Sequence, residues 1–73
     1  MVKLAIVTGG TRGIGASISI SLKKAGYTVV ANYRKHGSSA SKFSQEHGIK
    51  TMAWDVSDIN QCHQAVEKIE KEF

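Results

Sequence analysis

An apolar run that empties into glycines and then into a helical pattern governs what this chain can become. Residues 2–7, Val-Lys-Leu-Ala-Ile-Val, are almost continuously apolar and rich in branched side chains. A strand covered on both faces of a parallel sheet reads this way. Residues 8–15 follow as Thr-Gly-Gly-Thr-Arg-Gly-Ile-Gly. Beyond the turn, Ile14, Ile18 and Leu22 recur at i, i+4, i+8, one face of a helix over residues 13–25. The glycines have separable reasons to be there. Gly9 lets the chain turn sharply, Gly13 lets the backbone approach a diphosphate, and Gly15 lets the helix pack tightly on the strand. The first N–H groups of such a helix are unpaired, and with the helix dipole they favour an anionic phosphate.

The pattern then repeats. Gly26 ends the first helix. Residues 28–33 form a second apolar strand, residues 35–39 a polar loop, and residues 40–47 a short helix with Ala40 and Phe43 inward. Gly48 closes that helix, and residues 49–54 make a third strand. Ser57 is the expected N-cap of a third helix, whose inward stripe is Ile59, Cys62, Val66, Ile69 and Phe73. The order β-α-β-α-β-α predicts a Rossmann-type three-layer α/β fold. Its partial parallel sheet makes one half of a doubly wound architecture.

The chain has 73 residues, so residues 1–73 are expected to form a single domain of marginal stability. Its one cysteine, Cys62, excludes an intrachain disulfide and fits a reducing, cytoplasmic setting. No apolar stretch is long enough for a signal or a membrane span. The net charge is +4, but the ten Lys and Arg residues are scattered, and aromatic residues do not alternate with them. Nucleic acid is therefore not the expected partner. His36, His47 and His63 read as surface residues. Cys62 and His63 point to different helix faces, so no metal site is expected.

The spacing of residues 8–15 is Gly-x-x-x-Gly-x-Gly. It is neither the Gly-x-Gly-x-x-Gly of longer dehydrogenases nor a nucleoside-triphosphate P-loop. These eight positions resemble the Thr-Gly-x-x-x-Gly-Ile-Gly signature of the short-chain dehydrogenases/reductases. The resemblance implies a nicotinamide dinucleotide held by Gly9, Thr11, Arg12, Gly13, Ile14 and Gly15. It also places the family's acidic, NAD-selecting position on Tyr33, with Arg34 next. A guanidinium there suits a 2′-phosphate, which a carboxylate would repel, and Arg12 occupies a position often basic in NADP-preferring members. The expected cofactor is thus NADP(H) rather than NAD(H). Ser38 or Ser39 would add a phosphate hydrogen bond or cap a helix. Asp55 and Val56, after the third strand, match the family's adenine contacts; Asp55 could equally cap the third helix.

Residues 25–27 and 48–58 are further similar to bacterial acetoacetyl-CoA reductases, which reduce a 3-oxoacyl thioester with NADPH; the 3-oxoacyl-acyl-carrier-protein reductases are close relatives and the alternative. The family's catalytic Ser and Tyr-x-x-x-Lys have no counterpart here. Tyr27 and Tyr33 are followed four residues on by Ala31 and Gly37, so no catalytic residue is assigned. Three readings stay open: a truncated cofactor-binding piece without activity of its own, a fragment completed by a second chain, and a non-catalytic NADP-binding or interaction module.

Overall fold

The central strand organises the molecule by sending alternate side chains to opposite layers. The computed structural model describes residues 3–73; Val2, counted in the first expected strand, lies outside them. The elements are β1 (Leu4–Val7), α1 (Gly13–Lys24), β2 (Thr28–Tyr33), α2 (Gly37–His47), β3 (Lys50–Ala53) and α3 (Ile59–Glu72). The sheet is parallel, in the order β1-β2-β3, with Val7 beside Ala31 and Tyr33 beside Ala53. Val29 and Ala31 of β2 pack with Phe43 and Ile49 and with Ala16, Ile20 and Leu22 of α1. Val30, on the other face, packs with Trp54 and with Ala65 and Ile69 of α3. Two helices therefore cover one face and one covers the other, the three-layer α/β arrangement expected.

Local signals terminate the helices as the glycines require. The Gly26 N–H donates to the Lys23 carbonyl, and the Gly48 N–H to the Ser44 carbonyl. Gly48 is held further by Lys23, whose Nζ donates to its carbonyl at 2.9 Å. The α2 face is as expected, with Ala40 and Phe43 buried. That helix starts earlier than residue 40, with His36 at its N-cap in a left-handed conformation (φ 64°). Ser38 and Ser39 lie inside its first turn, and neither caps it.

Three expectations are corrected. On α1, Ile14 is 82 % exposed and Ile18 46 %. The helix turns Ala16, Ser19 and Ile20 inward instead, because its first turn must lay Gly15 against the glycine turn at a distance no side chain permits. Leu22 alone of the expected stripe packs against the core. On α3, Ile59, Val66 and Phe73 are exposed, and the buried positions are Ala65 and Ile69, with Cys62 half-buried. The third strand's neighbour Val30 sits over Ala65, which rotates the larger residues outward. Finally, β1 is not covered on both faces. Leu4 and Ile6 are exposed by more than a third, since α3 packs over β2 and the end of β3.

The cap of α3 also moves. Asp58, not Ser57, is the N-cap; its Oδ1 accepts the N–H groups of Asn60 at 3.0 Å and Gln61 at 3.2 Å. Replacing it, Asp58→Ala, removes acceptors from two helix-end donors and should cost about 1 kcal/mol. Thermal unfolding followed by circular dichroism should show a Tm lower by about 4–8 °C. Ser57→Ala should leave the cap intact, and an equal loss from it would return capping to Ser57.

Candidate functional site

Three turns meet at the carboxyl edge of the sheet. The first, between β1 and α1, is built by glycines. Gly9 and Gly13 both adopt left-handed φ values, 62° and 55°, which other residues rarely take. Gly15 is needed for a different reason. A Cβ there would run into the carbonyl of Gly9, and would stand 3.1 Å from the Gly10 Cα. The tight contact of Gly15 is thus with the turn itself and not, as expected, with the strand. Gly10, given no role by the motif spacing, is also crowded. Its Cβ would lie 2.7 Å from both the Ser19 Oγ and the Val7 carbonyl. Ser19 is fully buried, and its hydroxyl donates to the Gly10 carbonyl at 2.9 Å, with the Gly15 carbonyl at 3.0 Å as the alternative acceptor.

The start of α1 is left open by this geometry. Arg12 sits at the N-cap in an extended conformation, makes no side-chain hydrogen bond to the helix, and is exposed. The first turn holds no acidic residue. The amides of Gly13, Ile14 and Gly15 are therefore the free end of a helix dipole, available to an anion. Thr11 beside them is buried.

The second and third turns bring opposite charges together. Arg34, one residue past β2, places its Nη2 3.4 Å from the Asp55 Oδ2. Asp55 is tied down at several points. It accepts from the Ser57 hydroxyl at 2.7 Å and the Ser57 N–H at 2.9 Å, and its own N–H donates to the Gln61 Oε1 at 2.9 Å. These contacts hold its carboxyl below the ordinary value, first through the Ser57 hydroxyl, then the Ser57 N–H, and least through Arg34; desolvation opposes them. Asp55 is thus an anion at neutral pH, and it caps the turn at Ser57 rather than α3. Val56 is 50 % exposed, and its carbonyl lies 3.3 Å from the Cys62 Sγ. Tyr33 is half-buried at the end of β2.

Asn32 joins these turns, and sequence reasoning assigned it no role. It is 3 % exposed. Its Oδ1 accepts the Gly9 N–H at 3.1 Å, while its Nδ2 donates to the Trp54 carbonyl at 2.9 Å. The signal available was a lone amide inside the apolar strand Thr-Val-Val-Ala-Asn-Tyr. The structure therefore brings the glycine turn, Tyr33-Arg34 and Asp55-Val56 to one edge. It leaves Ile14 presenting only backbone there, its side chain turned to solvent. The larger hollows lie elsewhere: about 380 Å³ between β3 and α3, lined by Met52, Trp54 and Lys68, and about 390 Å³ along α1, lined by Ile14, Ile18 and Leu22.

An anion-accepting helix mouth at a left-handed glycine turn, on the carboxyl edge of a parallel sheet, is the ligand edge of doubly wound folds. The short chain dehydrogenase family model matches residues 3–73. The chain belongs to the short-chain dehydrogenase family. Among its relatives, the acetoacetyl-CoA reductase of Paracoccus denitrificans is 51 % identical over 73 residues, all of this chain and 30 % of the relative. The acetoacetyl-CoA reductase of Rhizobium meliloti (strain 1021) is 46 % identical over the same span, again 30 % of the relative. This short-chain dehydrogenase chain thus spans under a third of the curated relatives it matches. Among solved structures, BdcA in complex with NADPH is 30 % identical with a TM-score of 0.83, covering 90 % of this chain and 27 % of that one. A betaketoacyl-[ACP] reductase from Bacteroides thetaiotaomicron is 26 % identical with a TM-score of 0.86, covering all of this chain and 38 % of that one. No helix among the described residues is long and apolar enough to cross a membrane.

Proposed function

We propose that residues 1–73 form the cofactor-binding part of an NADP(H)-dependent oxidoreductase that reduces a 3-oxoacyl thioester to a 3-hydroxyacyl thioester. The observation that carries the cofactor choice is Arg34 at the tip of β2, where residues 33–35 are Tyr-Arg-Lys and supply no carboxylate of their own for a ribose 2′-hydroxyl. The residues present fit a dinucleotide. The open turn at Gly9 and Gly13 and the uncapped amides of α1 suit its diphosphate, with Thr11, Arg12, Ile14 and Gly15 around them. Arg34, next to Tyr33, suits a 2′-phosphate through charge-assisted bonds. Asp55 can accept from an adenine amino group, and the exposed Val56 can lie against the ring. The nicotinamide, when bound, supplies the hydride.

The thioester substrate is supported by the 51 % and 46 % identity to acetoacetyl-CoA reductases. A carrier-protein thioester is the neighbouring alternative, favoured by the likeness to the betaketoacyl-[ACP] reductase. Proton donation to the carbonyl falls to residues outside this chain, whose two tyrosines lack a lysine four positions on. The 73 residues alone should therefore bind cofactor without turning it over. The outward-facing Ile14 and Ile18 and the half-covered β1 support completion by further polypeptide, in the same or a second chain.

Calorimetric titration with NADPH and NADH tests the reading. NADPH should bind more tightly, and Arg34→Ala should weaken it about tenfold while leaving NADH within about twofold. An Arg34→Ala protein that keeps its full preference would sink the assignment of the 2′-phosphate to this residue.

A further inference from the structure

Asn32 ends the apolar part of the central strand, where a buried primary amide is unfavourable unless both of its ends are satisfied. Both are. Oδ1 faces the Gly9 N–H at 3.1 Å and Nδ2 faces the Trp54 carbonyl at 2.9 Å, while the Asn32 carbonyl accepts the Gly10 N–H at 3.0 Å. A backbone N–H can only donate and a carbonyl can only accept, so the orientation of the side-chain amide is fixed by its partners. The two contacts reach 23 and 22 residues along the chain, to turns that leave two different strands. Val30 and Ala31, the two residues before it, are fully buried, and Asn32 itself is 3 % exposed.

We propose that Asn32 is a positioning residue for dinucleotide binding. It holds the Gly9–Gly10 turn and the turn beginning at Trp54–Asp55 at one separation, so that both ends of the nucleotide's adenosine diphosphate half meet sites set beforehand. The ligand in this statement rests on the function proposed above; the tie between the turns rests on the hydrogen bonds alone. The chemistry demands one acceptor and one donor at a fixed distance. Asn32→Asp puts two acceptors there, and a carboxylate then faces the Trp54 carbonyl. Asn32→Leu keeps the shape and leaves both backbone partners unpaired.

The experiment uses the 73-residue chain labelled with ¹⁵N, with adenosine 2′,5′-bisphosphate as the probe. In the unliganded parent, the Gly9 amide should exchange with solvent at least about tenfold more slowly than that of Gly13, which has no such partner. Asn32→Leu should abolish that protection and weaken the probe about tenfold or more. Asn32→Asp should bind weakly at pH 8, and its deficit relative to the parent should shrink as the pH falls toward 5. A protonated carboxyl again offers one acceptor and one donor, and burial raises the pH at which it forms. Lost packing alone would give no such pH dependence. A Gly9 amide unprotected in the parent, or a deficit in Asn32→Asp that is the same at every pH, overturns the proposal. Should Asn32→Leu fail to fold, the parent's exchange rates and the pH series of Asn32→Asp decide it. A parent that protects Gly9 yet does not bind the probe overturns the nucleotide reading and leaves the tie between the turns standing.

Discussion

Gly15→Ala should destabilise the protein by about 1–3 kcal/mol or more and remove its nucleotide affinity. The added methyl has nowhere to go. It runs into the carbonyl oxygen of Gly9, with the Gly9 carbonyl carbon at 2.8 Å and the Gly10 Cα at 3.1 Å. All three are backbone atoms, so no rotamer change relieves the clash; either α1 lifts away or the turn is pushed outward. Lifting α1 uncovers Ser19, which is fully buried and bonded to the Gly10 carbonyl. Pushing the turn breaks the Gly9 and Gly10 contacts to Asn32. A domain of this size has only a few kcal/mol of stability to lose. Thermal unfolding should show Tm lower by about 10 °C, and NADPH titration should show no saturable heat. An alanine variant with parental Tm and affinity would mean that the helix mouth does not sit against the turn.

Ile69→Ala should be at least as damaging, at about 2–5 kcal/mol, through a different part of the molecule. Ile69 is 1 % exposed and packs with Val30, Trp54 and Ala65, the whole of the buried cluster beneath α3. One face of the sheet thus depends on a single helix held by few side chains. The protein's one tryptophan, Trp54, is 8 % exposed in that cluster and reports on its integrity. Its emission should shift to the red at temperatures where circular dichroism still shows α1 and α2. Val66→Ala is the matched control, since Val66 is 40 % exposed. It should cost well under 1 kcal/mol. Equal losses from the two substitutions would place the inward face of α3 on the wrong side.

That control exists because the hydrophobic pattern of α3 is misleading when read without its neighbours. Ile59, Val66 and Phe73 continue the helical spacing but face outward, and the inward position that matters beside Ile69 is Ala65. The same holds on α1, where the large residues Ile14 and Ile18 face outward while Ala16 and Ser19 face inward. Hydropathy rewards size, whereas a helix that must touch a glycine turn needs its smallest face inward. Elements fixed by backbone chemistry were legible: β2 over Thr28–Tyr33, the glycine ends of α1 and α2, and the buried pair Ala40 and Phe43. The glycine motif coincides with the left-handed turn after β1, and Arg34 and Asp55 meet beyond the tips of β2 and β3. The connections between these parts were not legible. Gly10, Ser19 and Asn32 matter through contacts to residues distant in the chain, which no local spacing encodes.

The pairing of Arg34 with Asp55 has a consequence for selectivity. A free guanidinium would welcome almost any anion, but this one already has a counter-ion 3.4 Å away. A neutral hydroxyl arriving at that corner offers nothing better than the carboxylate in place. A doubly charged phosphate would compete with that carboxylate for the guanidinium, and in recruiting it would leave the Asp55 Oδ2 open to another donor. One exchange of partners would thus reward both features of the same visitor, and its salt sensitivity should be that of a surface contact open to mobile ions.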